Sequence, residues 1–162
     1  MSRRLPKSSA GLVPLAIRWG RRGLRLAGGS LAFDAFGEAG ATFVSQPDLR
    51  LPRAPGRLIM SDVTARLLGA RSNQALASPY RRRFSLGQLE LELLPTAALP
   101  GASALVISRG RETVLYAGRV GAGDALGFGE KRVPRKCRQV VITPVHDTPR
   151  DGFPPAEEVF RE

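Results

Sequence analysis

The chain holds a single histidine, His146, and a single cysteine, Cys137, in 162 residues. One cysteine cannot close an internal disulfide, so the fold must rest on its apolar core, as expected of a cytoplasmic protein. One histidine excludes any centre that gathers several imidazoles. Acid is missing from the first 27 residues, which carry seven basic side chains. No run of 18 apolar residues free of charge occurs, so no helical membrane span is expected. The one apolar patch near the start, residues 11–17, is interrupted by Pro14 and followed at once by Arg18. It is too short for a secretory leader and has no small-residue cleavage site, which again points to the cytoplasm.

What is present is a foldable core and a large positive charge. Apolar residues make up 43% of the chain, enough for one domain of this length. Net charge is +11, and 22 of the 25 basic residues are arginine. A guanidinium pairs bidentately with phosphate oxygens, so an arginine-rich surface suits nucleic acid. A GC-rich genome also inflates arginine, alanine, glycine and proline together, and both explanations stand. Two basic clusters are candidate nucleic-acid contacts. Arg81, Arg82 and Arg83 follow Tyr80, a combination that can grip a backbone and stack on a base. Lys131, Arg132, Arg135 and Lys136 form the other, with Arg138 close behind. Each can equally be a solvated run of charge. Residues 1–14 are expected to form a flexible basic arm, and residues 15–162 a single domain.

The hydrophobic pattern predicts short strands over residues 15–19, 24–27, 31–34, 41–45 and 57–60, divided by glycine-flanked turns. Ser61 or Asp62 caps a helix over 63–70. Residues 72–79 read as a polar linker. A hairpin about Gly87 joins 81–86 to 88–94, where Leu89, Leu91 and Leu93 alternate with Glu90 and Glu92 and define a strand with one wet face. Strands over 102–108 and 113–116, a glycine-rich and then basic loop over 121–138, and a buried strand over 139–143 follow. A last helix starts at Pro154 and Pro155, where a missing N–H does no harm.

Three stretches have a specific frame. Residues 84–120 run through Leu94 and Pro95, then Leu99, Pro100 and Gly101, then Leu115, Tyr116, Ala117 and Gly118. Residues 137–159 contain Pro149 and Arg150, then Phe153, Pro154, Pro155 and Ala156. Residues 41–71 carry the strand Thr42, Phe43, Val44, Ser45 and a later strand and helix. This frame resembles the metallo-β-lactamase-fold nucleases of the β-CASP kind, which include RNA 3′-end processing nucleases and ligase-associated exonucleases. The resemblance covers roughly residues 15–160. It implies an α/β fold of the αββα type, here the N-terminal part of the sandwich, rich in short, mostly antiparallel strands with few helices.

The family's metal ligands are not matched. Where its turn histidine is expected stands Ala98, and where its bridging aspartate is expected stands Arg119. The acid of the β-CASP motif falls at Thr143, and His146 falls at an aromatic position. The histidine-rich signature is replaced by residues 46–51, in which Asp48 is out of register. A permanently charged guanidinium at Arg119 repels cations; it can hold a phosphate, pair with Asp48 or Asp147, or equally stand in a solvated strand-end loop. The carboxylates Asp34, Asp48, Asp147 and Asp151 match no ligand spacing, so no metal and no cofactor is expected. His146 beside Asp147 lacks a recognisable nucleophile. Cys137, between Lys136 and Arg138, is either a thiol of lowered pKa or a small residue at the core edge.

The expected function is therefore that of a pseudo-enzyme: a non-catalytic, nucleic-acid-binding subunit of a DNA or RNA processing or repair assembly. Its partners would be nucleic acid and a protein, such as an active paralogue, a ligase or a helicase, with no membrane. Half a sandwich should also expose an apolar sheet face for such a partner. Two alternatives stand beside it. One is a metal-dependent exonuclease or RNA-processing nuclease completed by another chain. The other is a stand-alone nucleic-acid-binding module.

Overall fold

The computed structural model describes residues 13–29, 31–36, 40–51, 56–71, 73–120 and 136–143. The expectations for the arm before residue 13, the loop 121–135, His146, Asp147 and the last helix lie outside the described residues.

The first sheet runs in chain order through β1 (Ile17–Gly20), β2 (Gly23–Leu26), β3 (Leu31–Phe33), β4 (Ala41–Phe43), β5 (Arg57–Ser61) and β6 (Ala75–Ser78). β1, β2 and β3 pair antiparallel, and β3 to β6 pair parallel. The second sheet is an antiparallel meander of β7 (Arg83–Leu86), β8 (Leu89–Pro95), β9 (Ser103–Arg109) and β10 (Glu112–Gly118), with β11 (Gln139–Ile142) added parallel to β10. Its hairpins turn where the sequence predicts. Gly87 and Gly110 each open a two-residue loop with φ of 60°, the left-handed conformation that such tight hairpins need.

The alternation in β8 orients the second sheet. Leu91 and Leu93 point inward and are fully buried. With Leu105, Ile107, Val114 and Tyr116 they meet Ile17, Leu26, Leu31, Phe33, Phe43 and Ile59 of the first sheet in one apolar layer. Each such side chain contributes about 1.5–3 kcal/mol on burial, which makes this layer the main source of stability. Tyr116 sits between Phe33 (ring centroids 4.8 Å) and Phe43 (6.0 Å, edge-on). The mixed α/β architecture therefore agrees with the sequence-based expectation.

The outer side of the first sheet is covered by α1 (Asp62–Leu67), whose Ala65 packs with Val44, Leu58 and Met60. Ser61 caps the helix by accepting from the Thr64 N–H at 3.0 Å. Ser61 and Thr64 hydroxyls both donate to the Gly101 carbonyl at 2.7 Å, so the cap also ties the helix to the second sheet. The helix is shorter than the expected 63–70, because the chain turns through Gly69 at φ 61°.

Two expectations are corrected. The stretch 72–79 is not a linker: it contains β6, an edge strand whose Ala-Leu-Ala-Ser sequence gives no clear alternation. The strand at 139–142 is not buried. It is the outer strand of its sheet, and Val140 and Ile142 are 49% and 59% exposed. On the far side of the second sheet, where an open apolar face was expected, Ala104, Val106, Leu115 and Ala117 are buried while Val140 of β11 is exposed.

The gap between β1 and β11 is bridged by polar groups. The Gln139 side chain accepts from the Ile17 N–H at 2.7 Å and donates to the Ile17 carbonyl at 2.9 Å. Glu112 accepts from the Leu15 N–H at 3.2 Å and from Arg109 and Arg138.

Two substitutions test this account by urea unfolding. Phe43→Ala is expected to cost about 3–5 kcal/mol, as for other fully buried aromatics. In Gly101→Ala the new Cβ would sit 2.8 Å from the Thr64 hydroxyl and 2.9 Å from its nitrogen, at φ 87°. It should cost more than about 1 kcal/mol, and a neutral result would remove the cap-to-sheet tie from the account.

Candidate functional site

Parallel strands bring their carboxyl ends to one side of a sheet, the usual place for a site in α/β proteins. Here β3, β4 and β5 deliver Asp34, Ser45 to Asp48, and Ser61 to that side. β8, β10 and β11 deliver Thr96, Gly118 with Arg119, and Thr143. A direct bond joins the two sets. The Ser103 N–H donates to the Ser45 carbonyl at 2.7 Å, while within the second set the Thr143 N–H donates to the Gly118 carbonyl at 2.9 Å. Gly118 lies so close to Ser45 that an added Cβ would stand 2.9 Å from its side chain.

At the centre is Asp34, held at φ 49° directly after β3. Its Oδ1 accepts from the Ser45 N–H at 2.7 Å. Its Oδ2 accepts from the Ser45 hydroxyl and the Tyr116 hydroxyl, each at 2.7 Å. The Tyr116 hydroxyl is also 3.2 Å from that of Thr143. Burial pushes the Asp34 carboxyl above the usual carboxylate range, while the bonds from Ser45 and Tyr116 oppose that rise. Burial and the Asp34 charge together push the Tyr116 phenol well above its ordinary value. Tyr116 therefore stays neutral and acts as a hydrogen-bond donor, not as a base.

Nearer the solvent, Arg119 donates to Asp48 at 2.8 Å, both side chains being partly exposed. The pairing with Asp48, one of those open to it, is thus present. Three buried polar atoms close by in the chain path, Gln46 Oε1, Thr96 Oγ1 and Ser103 Oγ, have no hydrogen-bond partner. On the same side the Tyr80 hydroxyl donates to the Ala102 carbonyl at 3.1 Å.

This donor set does not fit a two-metal hydrolytic centre. Such a centre needs imidazoles and carboxylates converging on two cations. Here one carboxylate is engaged by three donors, the other by a guanidinium. Among the described residues no group of three or more His, Cys, Asp or Glu could hold a metal ion. Cys137 is not activated: burial raises its thiol, and it packs against the apolar cluster outside the second sheet.

The remaining candidate residues are dispersed. Arg81 and Arg82 are exposed between β6 and β7, and Arg81 has φ 62° with its N–H bonded to the Leu93 carbonyl at 2.8 Å. Arg83 points along the wet face of β8 and bonds Glu90 at 3.1 Å and Glu92 at 3.2 Å, which balances its charge locally. Lys136 is exposed before β11, while Lys131, Arg132 and Arg135 lie outside the described residues. Sequence reasoning named Asp48 as one of several possible partners of Arg119 but missed that Tyr116 belongs to the Asp34 network. The only hint was its position two residues before Gly118.

No family model matches the chain, and no curated protein matches it. Solved structures are similar over about half of it. A protein of unknown function from Enterococcus faecalis V583 is 19% identical, with a TM-score of 0.40 over 50% of this chain and 25% of that one. A metallo-β-lactamase from Cronobacter sakazakii is 20% identical, with a TM-score of 0.38 over 50% and 38%. CmlA, a diiron β-hydroxylase from Streptomyces venezuelae, is 18% identical, with a TM-score of 0.36 over 48% and 20%. The chain thus spans well under half the length of these three proteins, and no activity follows from the likeness. Among the described residues no helix is long and apolar enough to cross a membrane.

The Asp34 network makes a pH-dependent prediction. A carboxyl whose folded pKa is raised favours folding below its ordinary range, and that contribution is lost as pH rises through the raised value. Glu112 works in the opposite sense: the Leu15 N–H, then Arg109, lower its pKa, so its contribution is lost as pH falls. Asp34→Asn should therefore gain on the wild type as pH rises through the acid range, measured by urea unfolding at successive pH values. Asp34→Ala strips three donors of their acceptor and should cost ~3 kcal/mol at neutral pH.

Proposed function

We propose that this chain is a non-catalytic, nucleic-acid-binding component of a DNA or RNA processing or repair assembly. The observation that carries the reading is the Arg119–Asp48 ion pair. It stands at the carboxyl ends of the strands, and the sequence resemblance alone sets Arg119 at the position of the nucleases' bridging aspartate. A guanidinium there, holding the nearby carboxylate of Asp48, disfavours metal ions. The net charge of +11 supports a polyanionic partner, as does the exposure of Arg81, Arg82 and Lys136. Arg81 adds a second hint, because an exposed non-glycine residue in the left-handed region holds backbone strain of the kind found at binding sites.

Two measurements test the proposal on the purified full chain. Elemental analysis is expected to find less than ~0.1 metal per chain, where a filled hydrolytic centre would give about two. Fluorescence anisotropy with single- and double-stranded oligonucleotides should show binding that weakens steeply with salt and survives chelation. Stoichiometric metal with nuclease activity would replace the proposal by the enzyme reading. No binding at low salt would sink it outright.

A further inference from the structure

The β1–β2 hairpin joins five side chains that the site at the strand ends does not use. Trp19, the only tryptophan, is 80% exposed. It lies among Arg18, Arg21, Arg22 and Arg25, and no acidic residue occurs before Asp34. Register explains the exposure. Ile17 and Trp19 share a face, opposite Leu26 and Leu24. Ile17, Leu24 and Leu26 contribute to the core between the sheets, whereas Trp19 has passed its edge.

The hairpin keeps one feature that costs stability. Leaving an indole in water forfeits the burial that makes tryptophan a favoured core residue. Arg18 and Arg25 stand opposite one another in the register, on the face of the hairpin away from Trp19. The backbone narrows beside them. Gly20 and Gly23 close the turn, and the Arg25 stem passes over Gly20, where a Cβ would meet its Cδ at 2.6 Å. Next to this turn, Arg22, Leu24, Arg25, Ala32 and Phe36 line a shallow open groove. A planar ring would cover the indole, and the exposed guanidiniums of Arg21 and Arg22 at the turn stand ready for the adjoining phosphates.

We propose that this hairpin is a stacking platform for single-stranded nucleic acid, with a base on Trp19 and the flanking phosphates on Arg21 and Arg22 of the turn. The proposal deepens the nucleic-acid reading above and rests on it. Sequence-independent readers of single strands combine these two elements, an aromatic face and a positive track. An anionic lipid surface fits less well: Trp19 is the hairpin's one exposed apolar side chain, and the guanidinium fork matches a phosphodiester backbone.

Because Trp19 is the sole tryptophan, its emission reports on the hairpin alone. The test uses the full chain and a labelled oligodeoxythymidylate of about 20 nucleotides, long enough for several stacked bases. Binding should quench the tryptophan emission in step with the anisotropy of the label. Trp19→Ala should bind about 5- to 100-fold more weakly, with Trp19→Phe between the two. An unchanged urea midpoint would show that neither variant alters folding. Arg21→Ala and Arg22→Ala should each lower the slope of log affinity against log salt by about 0.7. Full-strength binding without quenching, and unimpaired in Trp19→Ala, would overturn the platform and leave the nucleic-acid reading standing. No binding by any variant would overturn both. A shift of Trp19 emission on phosphatidylserine vesicles, with no response to the oligonucleotide, would assign the hairpin to a membrane and end the proposal.

Discussion

The carboxylate of Asp34 is the constraint on which this structure closes. A dry layer between two sheets has to end somewhere, and at its end buried backbone groups must find partners. Asp34 supplies them for β4 through the Ser45 N–H. Through the Tyr116 hydroxyl it links the first sheet to the second. Tyr116 spans the change in polarity: its ring packs with Phe33 and Phe43 in the apolar layer, and its hydroxyl stands in the network. Burial disfavours the charge on Asp34, and the three donors offset that cost. Such a carboxylate is a structural tie, with its lone pairs already committed.

The same end of the fold accounts for what the protein has in place of a metal centre. Among the described residues, Asp34 and Asp48 stand at these strand ends, and each is occupied, one by hydroxyls and a backbone amide, the other by Arg119. A cation would have to displace those partners while facing a guanidinium. The scaffold that positions these residues is set by core packing and glycine turns. Gly101 and Gly118 show this well: both have positive φ, and both sit against a neighbouring element too closely for a side chain.

Much of this was legible in the sequence, and the failures have physical causes. Strands with strong alternation or uniform apolar character, such as β8, β9 and β10, were read nearly in place. So were the hairpin glycines and the Ser61 cap. β6 escaped because an edge strand is held by one ladder of backbone bonds and needs little of its side chains. β11 was placed correctly but judged buried, because Val140, Val141 and Ile142 look alike in sequence whichever way they face. The Arg119–Asp48 pair was one of several open to Arg119 from charge and chain position. The Asp34–Tyr116 bond could not, since 82 residues separate its partners and nothing local to either one specifies the other. The hairpin of β1 and β2 was recognised as a turn with basic residues, yet the exposure of Trp19 depends on where the second sheet stops.

The clasp between Ile17 and Gln139 carries a consequence for how the chain is made. An interior strand finds both its ladders within the sheet, whereas Ile17 obtains its second set of bonds from an amide 122 residues later. During synthesis the β1–β2 hairpin can assemble as soon as it leaves the ribosome, since its contacts are local. Its outer edge stays unsatisfied until nearly the whole described chain has emerged. For that interval the nascent protein presents an unpaired strand flanked by positive charge, and repulsion between copies would then keep those edges from pairing with each other.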